Sequence, residues 1–113
     1  FVHLASVQDI DLSHCDNLTD KCLKHLTNLR RIACFPNISD NGLQYLKGIH
    51  TIFLNDAINI TDEGIRHLKG VHTIKLSNCP KLTDACFEYL VGVSKLHIRE
   101  CVQLTSAGFK YLT

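Results

Sequence analysis

The sequence predicts an α/β solenoid: a curved stack of short repeats with a parallel β-sheet on its concave face and short helices on its convex face. Three observations carry that prediction. A pattern of about twenty-two residues recurs along the whole chain. Each copy opens with apolar residues at alternate positions, the mark of a short strand with one buried face. Each copy ends with apolar residues three apart, most often followed by glycine, the mark of a short helix and its stop. One such unit cannot bury its own apolar face, but stacked units bury a continuous core. Helices are wider than strands, so the stack curves toward the sheet.

The 113 residues divide into a lead-in, 1–6, and repeats 7–28, 29–48, 49–70, 71–92 and 93–113. Val7–Asn28 reads VQDIDLSHCDNLTDKCLKHLTN and Val71–Gly92 reads VHTIKLSNCPKLTDACFEYLVG; Leu29–Gly48 is the same pattern two residues shorter. The lead-in Phe1-Val2-His3-Leu4 matches Phe87-Glu88-Tyr89-Leu90 and Phe109-Lys110-Tyr111-Leu112. The chain is therefore expected to open inside a preceding unit, as one window of a longer array and a single domain without linkers, and it contains no Met.

Within a repeat each position has a job. The first, fourth and sixth residues are mostly apolar (Val7/Ile10/Leu12, Ile49/Ile52/Leu54, Val71/Ile74/Leu76, Val93/Leu96/Ile98) and form the inward side of a strand. Cys15, Cys79 and Cys101 occupy the ninth position, and Leu18, Ile38, Ile60, Leu82 and Leu104 follow. Next comes Thr19-Asp20, Ser39-Asp40, Thr61-Asp62, Thr83-Asp84 or Thr105-Ser106. There the hydroxyl is expected to cap the helix N-terminus, and the aspartate to suit its dipole. A small residue (Cys22, Gly42, Gly64, Cys86, Gly108) and an apolar pair such as Leu43/Leu46 then face inward over about two helical turns. Gly48, Gly70 and Gly92 end three of the helices, where a left-handed residue is wanted.

These residues resemble the cysteine-containing leucine-rich repeat, whose pattern L-x-x-L-x-L-x-x-C-x-x-L-T-D-x-G-L-x-x-L covers the whole chain. The resemblance implies a protein-interaction module, and specifically the substrate-recruiting part of F-box proteins, the adaptors of Skp1–cullin ubiquitin ligases. These units are shorter than the family's usual one, and no F-box segment is present in the chain, so the ligase scaffold would be a partner only if an F-box lies outside it. The join Leu46–Thr51 and Leu68–Thr73 also resembles leucine-rich proteins of protists and large DNA viruses.

Chemistry has little sequence support. The six Cys follow the geometry of the repeat, and their seven-residue spacing (Cys15/Cys22, Cys79/Cys86) is not that of zinc ligands. They are expected to be buried thiols, which implies a cytoplasmic or nuclear compartment. Cys34 stands either where other units have Leu or Ile, or is displaced by the two-residue deletion. His3 and His25, with His67, share a helix position with Tyr45, Tyr89 and Tyr111, expected to pack as a ladder of rings between repeats. His50 and His72 share the second repeat position and would hold a metal only if their rings converged; no metal and no cofactor is expected. Asp9 and Asp11 point from one strand face, unlike a glycosidase pair, and no nucleophile motif exists, so no enzyme is expected. Twelve Lys and Arg against eleven Asp and Glu leave a formal charge of +1, which argues against nucleic acid or a membrane as partner.

Function is therefore expected on the face the repeat leaves free. Strand residues alternating with the buried ones are Asp9, Asp11 and Ser13; Arg31 and Ala33; Thr51, Phe53 and Asn55; Thr73, Lys75 and Ser77; Lys95, His97 and Arg99. These vary between units, and they run from acidic, through an outward Phe53, to basic. The expected partner is a protein. Solvated strand charges explain Asp9, Asp11 and Lys75 equally well. The alternative is a structural or assembly subunit, or a spacer, making its contacts through the repeat ends or the convex helices, where Lys24, Gln44, Arg66 and Glu88 are outermost.

Overall fold

A computed structural model of the chain describes residues 8–26 and 28–112, the side chains of 109, 111 and 112 excepted; the lead-in match Phe1–Leu4, His3 and Val7 lie outside this description. Five strands, β1 (Asp9–Asp11), β2 (Arg31–Ala33), β3 (Thr51–Asn55), β4 (Thr73–Ser77) and β5 (Lys95–Arg99), form one parallel sheet in sequence order. The register is uniform: Ile10, Ile32, Ile52, Ile74 and Leu96 stand side by side across it. Each strand is followed by a helical segment, and the first four of these return the chain to the next strand. This is the α/β leucine-rich-repeat solenoid, with the sheet on one face and the helices on the other.

The apolar positions of strand and helix meet between these two layers. Ile32, Ile52, Leu54, Ile74 and Leu76 are wholly buried, together with Leu43, Ile65 and Phe87 from the helical segments. Ile10, Leu96 and Ile98, on the outer strands, are half-buried. A solenoid repeat packs only against its neighbours, so burial is deepest in the middle repeats.

The helices are tighter than the sequence suggests. Asp40–Leu43 and Asp62–Ile65 are single α-turns passing into 3-10 turns, and Asp20–His25, Asp84–Leu90 and Ser106–Leu112 are 3-10 throughout. A 3-10 segment advances about 2.0 Å per residue against 1.5 Å for an α-helix, so it spans the layer in fewer residues. That suits a unit as short as these. Gly48, Gly70 and Gly92 adopt φ of +83°, +86° and +89° where the segments end.

The two-residue deletion in the second repeat is located by the sheet. Cys34 follows Ala33, the partner of Phe53, and so occupies the place of Leu54; it is buried. The missing pair is the strand exit. Phe35, wholly buried, takes the place of Cys15, Ala57, Cys79 and Cys101: its carbonyl accepts from Ile38 N–H as theirs accept from Leu18, Ile60, Leu82 and Leu104.

The Thr/Ser-Asp dipeptide works differently from a local cap. Thr19, Ser39 and Thr61 make no side-chain capping bond, whereas Thr83 accepts one from Ala85 N–H at 3.3 Å. Each aspartate instead accepts two bonds from the next repeat. Asp62 takes Thr83 N–H at 2.9 Å and its hydroxyl at 2.5 Å, and Asp40 takes the same pair from Thr61 at 2.8 and 2.5 Å. Asp20 holds Ser39, and Asp84 holds Thr105, in the same way. Because equivalent residues stack, a carboxylate one step along reaches a neighbour's hydroxyl more directly than the hydroxyl reaches its own helix. Gly42 and Gly64 leave room for this ladder, since a Cβ at either would collide with the Asp20 or Asp40 carboxylate.

All six cysteines are free thiols, and five are buried. Burial, and after it nearby carboxylates, push Cys86 up to about 12; burial and Cys101 push Cys79 to about 12. Among the described residues no helix is long and apolar enough to cross a membrane.

Candidate partner-binding face

The register converts the variable strand positions into rows. Asp9, Arg31, Thr51, Thr73 and Lys95 form one; Asp11, Ala33, Phe53, Lys75 and His97 form the next; Asn55, Ser77 and Arg99 form a third on β3–β5. Every strand residue singled out from the sequence lies on this one face, opposite the core, except Ser13, which the short β1 leaves in a turn beyond its end. Asp9, Asp11, Arg31, Lys95, His97 and Arg99 are exposed, whereas Thr51, Phe53, Asn55, Thr73 and Lys75 are half-buried.

The acidic half is satisfied internally. Arg31 Nη1 lies 3.5 Å from Asp9 Oδ1, and the same guanidinium sits 4.9 Å from the centre of the Phe53 ring. Phe53 is therefore partly roofed by Arg31 instead of standing free, because a long side chain on one strand lies naturally across the next. Asp11 Oδ1 accepts from Ser13 N–H at 2.9 Å and from its hydroxyl at 2.6 Å, and these bonds hold the carboxyl below its usual range. At the other end, among the described residues, no carboxylate stands within ion-pair distance of Lys75, Lys95, His97 or Arg99. Glu100 follows Arg99 at the strand exit, exposed and with φ of +57°.

Two further rows flank the face: the His50/His72 pair that the shared repeat position places side by side, and a turn at the strand exits that the sequence reading did not identify. Where the strands begin, His50 and His72 stack face to face, ring centres 4.4 Å apart and 14° from parallel. Each Nδ1 lies beside a threonine of the face: His50 on Thr51 Oγ1 at 2.7 Å, His72 on Thr73 Oγ1 at 2.8 Å. Parallel rings do not converge on a point, and among the described residues no group of three His, Cys, Asp or Glu side chains is arranged to hold a metal ion. Burial first, then Arg30 and His72, push His50 below the ordinary histidine range. Where the strands end, Asp56, Asn78 and Glu100 take positive φ, and Asn78 Nδ2 donates to Asp56 Oδ1 at 3.0 Å. Asp and Asn before a ninth-position residue were the available signal for that turn.

The ring position of the helices is less tightly packed than a ladder requires. Tyr45 is 44% exposed, and Tyr89 lies under Lys69 Nζ at 5.5 Å. The outermost helix positions Lys24, Gln44, Arg66 and Glu88 are all exposed.

The same fold is found in a chain of the crystal structure of the Rad7 and Elc1 complex in yeast, with a TM-score of 0.72 and 19% sequence identity. The match covers 89% of this chain and 29% of that one, so this chain spans under a third of its structural relative, and at that identity the likeness concerns the fold alone. No family model and no curated protein matches the sequence.

Proposed function

We propose that this chain is a protein-recognition module that binds its partner on the concave sheet, and that it is a segment of the substrate-recruiting part of an F-box-type ubiquitin-ligase adaptor. One observation carries the binding reading: side chains held in strict register on a uniform scaffold vary from strand to strand, most fully in the row Asp11, Ala33, Phe53, Lys75, His97, while the row beside it repeats only at Thr51 and Thr73. A constant core with a varied face is a scaffold for recognition. Likeness to a chain from a two-protein complex supports protein as the partner class.

The cysteine-containing subtype has its own support. Cys79 Sγ lies 3.5 Å from Leu54 O, and Cys101 Sγ 3.6 Å from Leu76 O, each reaching the preceding repeat's strand. A thiol there is both a small apolar filler and a weak donor. The ligase reading rests on that subtype, with the F-box supplied by another part of the full-length protein and the thiols kept reduced in cytoplasm or nucleus. The reading assigns the face no catalysis.

The test is affinity purification of the tagged full-length protein from its own cells. Phe53→Ala/Arg99→Ala is expected to lose the principal co-purifying protein, and Skp1 is expected to co-purify with both forms. Full retention of that protein by the double variant would overturn the concave site. Its loss on charge reversal of Lys24 and Arg66 would instead favour an assembly subunit acting through the convex helices.

A further inference from the structure

We propose that the concave face recognises an extended acidic segment of its protein partner, laid along β5 with carboxylates at alternate residues; this rests on the concave-face reading above. The two halves of the face differ in how their charges are met. Asp9, Arg31 and Phe53 form a closed set, and Asp11 is held by Ser13. Lys95, His97 and Arg99 are exposed, and Lys75 stands beside His97 in the register.

Spacing selects the ligand's form. Lys95, His97 and Arg99 lie at alternate positions of one strand, about 6.6 Å apart at the parallel-strand rise. An extended peptide repeats its own side chains on one face at the same interval. Five residues with Glu or Asp at the first, third and fifth places therefore put one carboxylate over each basic group. Lys75, about 4.8 Å to the side on β4, adds positive potential to the middle of the track. Glu100, exposed just past Arg99 where β5 ends, adds a negative charge beyond that end of the track and disfavours a longer acidic segment there.

A single nucleic-acid strand also carries regularly spaced anions, but the face does not suit it. Base stacking along a strand needs a run of free aromatic faces; Phe53 has Arg31 over it, which leaves the His97 imidazole as the one exposed ring in these rows. Asp9 and Asp11 further down the rows repel a long polyanion and leave a short acidic segment untouched.

The experiment is fluorescence anisotropy on the full-length protein. Four labelled probes are compared: a nonapeptide alternating Glu and Thr, the same composition with its Glu residues contiguous, a Gln-for-Glu analogue, and a thymidine decanucleotide. The alternating peptide is expected to bind below 1 mM, and roughly tenfold more weakly when NaCl rises from 50 to 500 mM. It is expected to outbind the contiguous peptide at least threefold and the neutral one at least tenfold. Lys95→Gln/Arg99→Gln is expected to weaken it about tenfold, with Lys75→Gln/His97→Gln as a second, independent pair. Lys24→Gln/Arg66→Gln, which removes equal charge from the helices, is expected to leave it unchanged.

Equal binding of alternating and contiguous peptides, tighter binding of the oligonucleotide, or no peptide binding below 1 mM would overturn the proposal. The wider reading is judged separately: if Phe53→Ala/Arg99→Ala still releases the cellular partner, the concave site stands and only its acidic preference falls.

Discussion

Along the edge where strands lead into helices, four successive repeats use one carboxylate in one way: Asp20, Asp40, Asp62 and Asp84 each hold the hydroxyl and backbone N–H of the next repeat's Ser or Thr. On the sheet face the equivalent positions of adjacent strands read Asp11, Ala33, Phe53, Lys75 and His97, no two alike. Both regions are built from the same stacking, so the difference lies in what each position is for. Where a side chain joins repeat to repeat, a change breaks a rung and the array weakens. Where it points away from the core, a change alters only what is displayed. The edge should govern stability, and the face should govern binding.

The comparison breaks most sharply at Gly64. A Cβ there collides with the Asp40 carboxylate and comes within 3.0 Å of Leu43 Cδ1. Gly64→Val is expected to cost about 3 kcal/mol, the upper end of an overpacking penalty, measured by urea unfolding. Asp62→Ala follows. It leaves Thr83 N–H and hydroxyl without their acceptor, and is expected to cost about 2 kcal/mol in the same assay, since a half-buried donor loses a charged partner.

Acid sharpens the same contrast. The Thr105 hydroxyl and then its N–H hold Asp84 below the usual carboxylate range. A carboxyl depressed on folding adds stability that is complete above its unfolded pKa and is lost as pH falls through the folded one. The thermal midpoint of the wild type should therefore fall more steeply between pH 5 and pH 3 than that of Asp84→Asn. The smallest effect belongs to the face: Arg31→Gln removes an ion pair whose partners are 51% and 65% exposed. It is expected to change stability by no more than about 0.5 kcal/mol. A loss as large as that of Asp62→Ala would erase the distinction between edge and face.

The fold was legible because repetition makes its own argument. The spacing of Ile10, Ile52, Ile74 and Leu96 gives the strands, and their equivalence gives the register without any long-range information. The rungs were harder to read. Thr61-Asp62 is a good local cap by composition, and only the stacking distance decides that Thr61 turns to Asp40 in the neighbouring repeat. Phe53 was legible as outward-facing but not as roofed, since nothing in one strand's sequence shows that Arg31 leans across from the next. Cys34 needed the sheet for the same reason: a deletion is placed by pairing, and either side of it reads equally well in the sequence alone.

Amide chemical-shift mapping during titration of the alternating glutamate peptide tests the division of labour most directly. The account predicts perturbations concentrated in residues 51–55, 73–77 and 95–99, largest on β5, with the helical segments carrying Lys24, Gln44, Arg66 and Glu88 unmoved. Shifts confined to those helical segments, with the three strands silent, would contradict it.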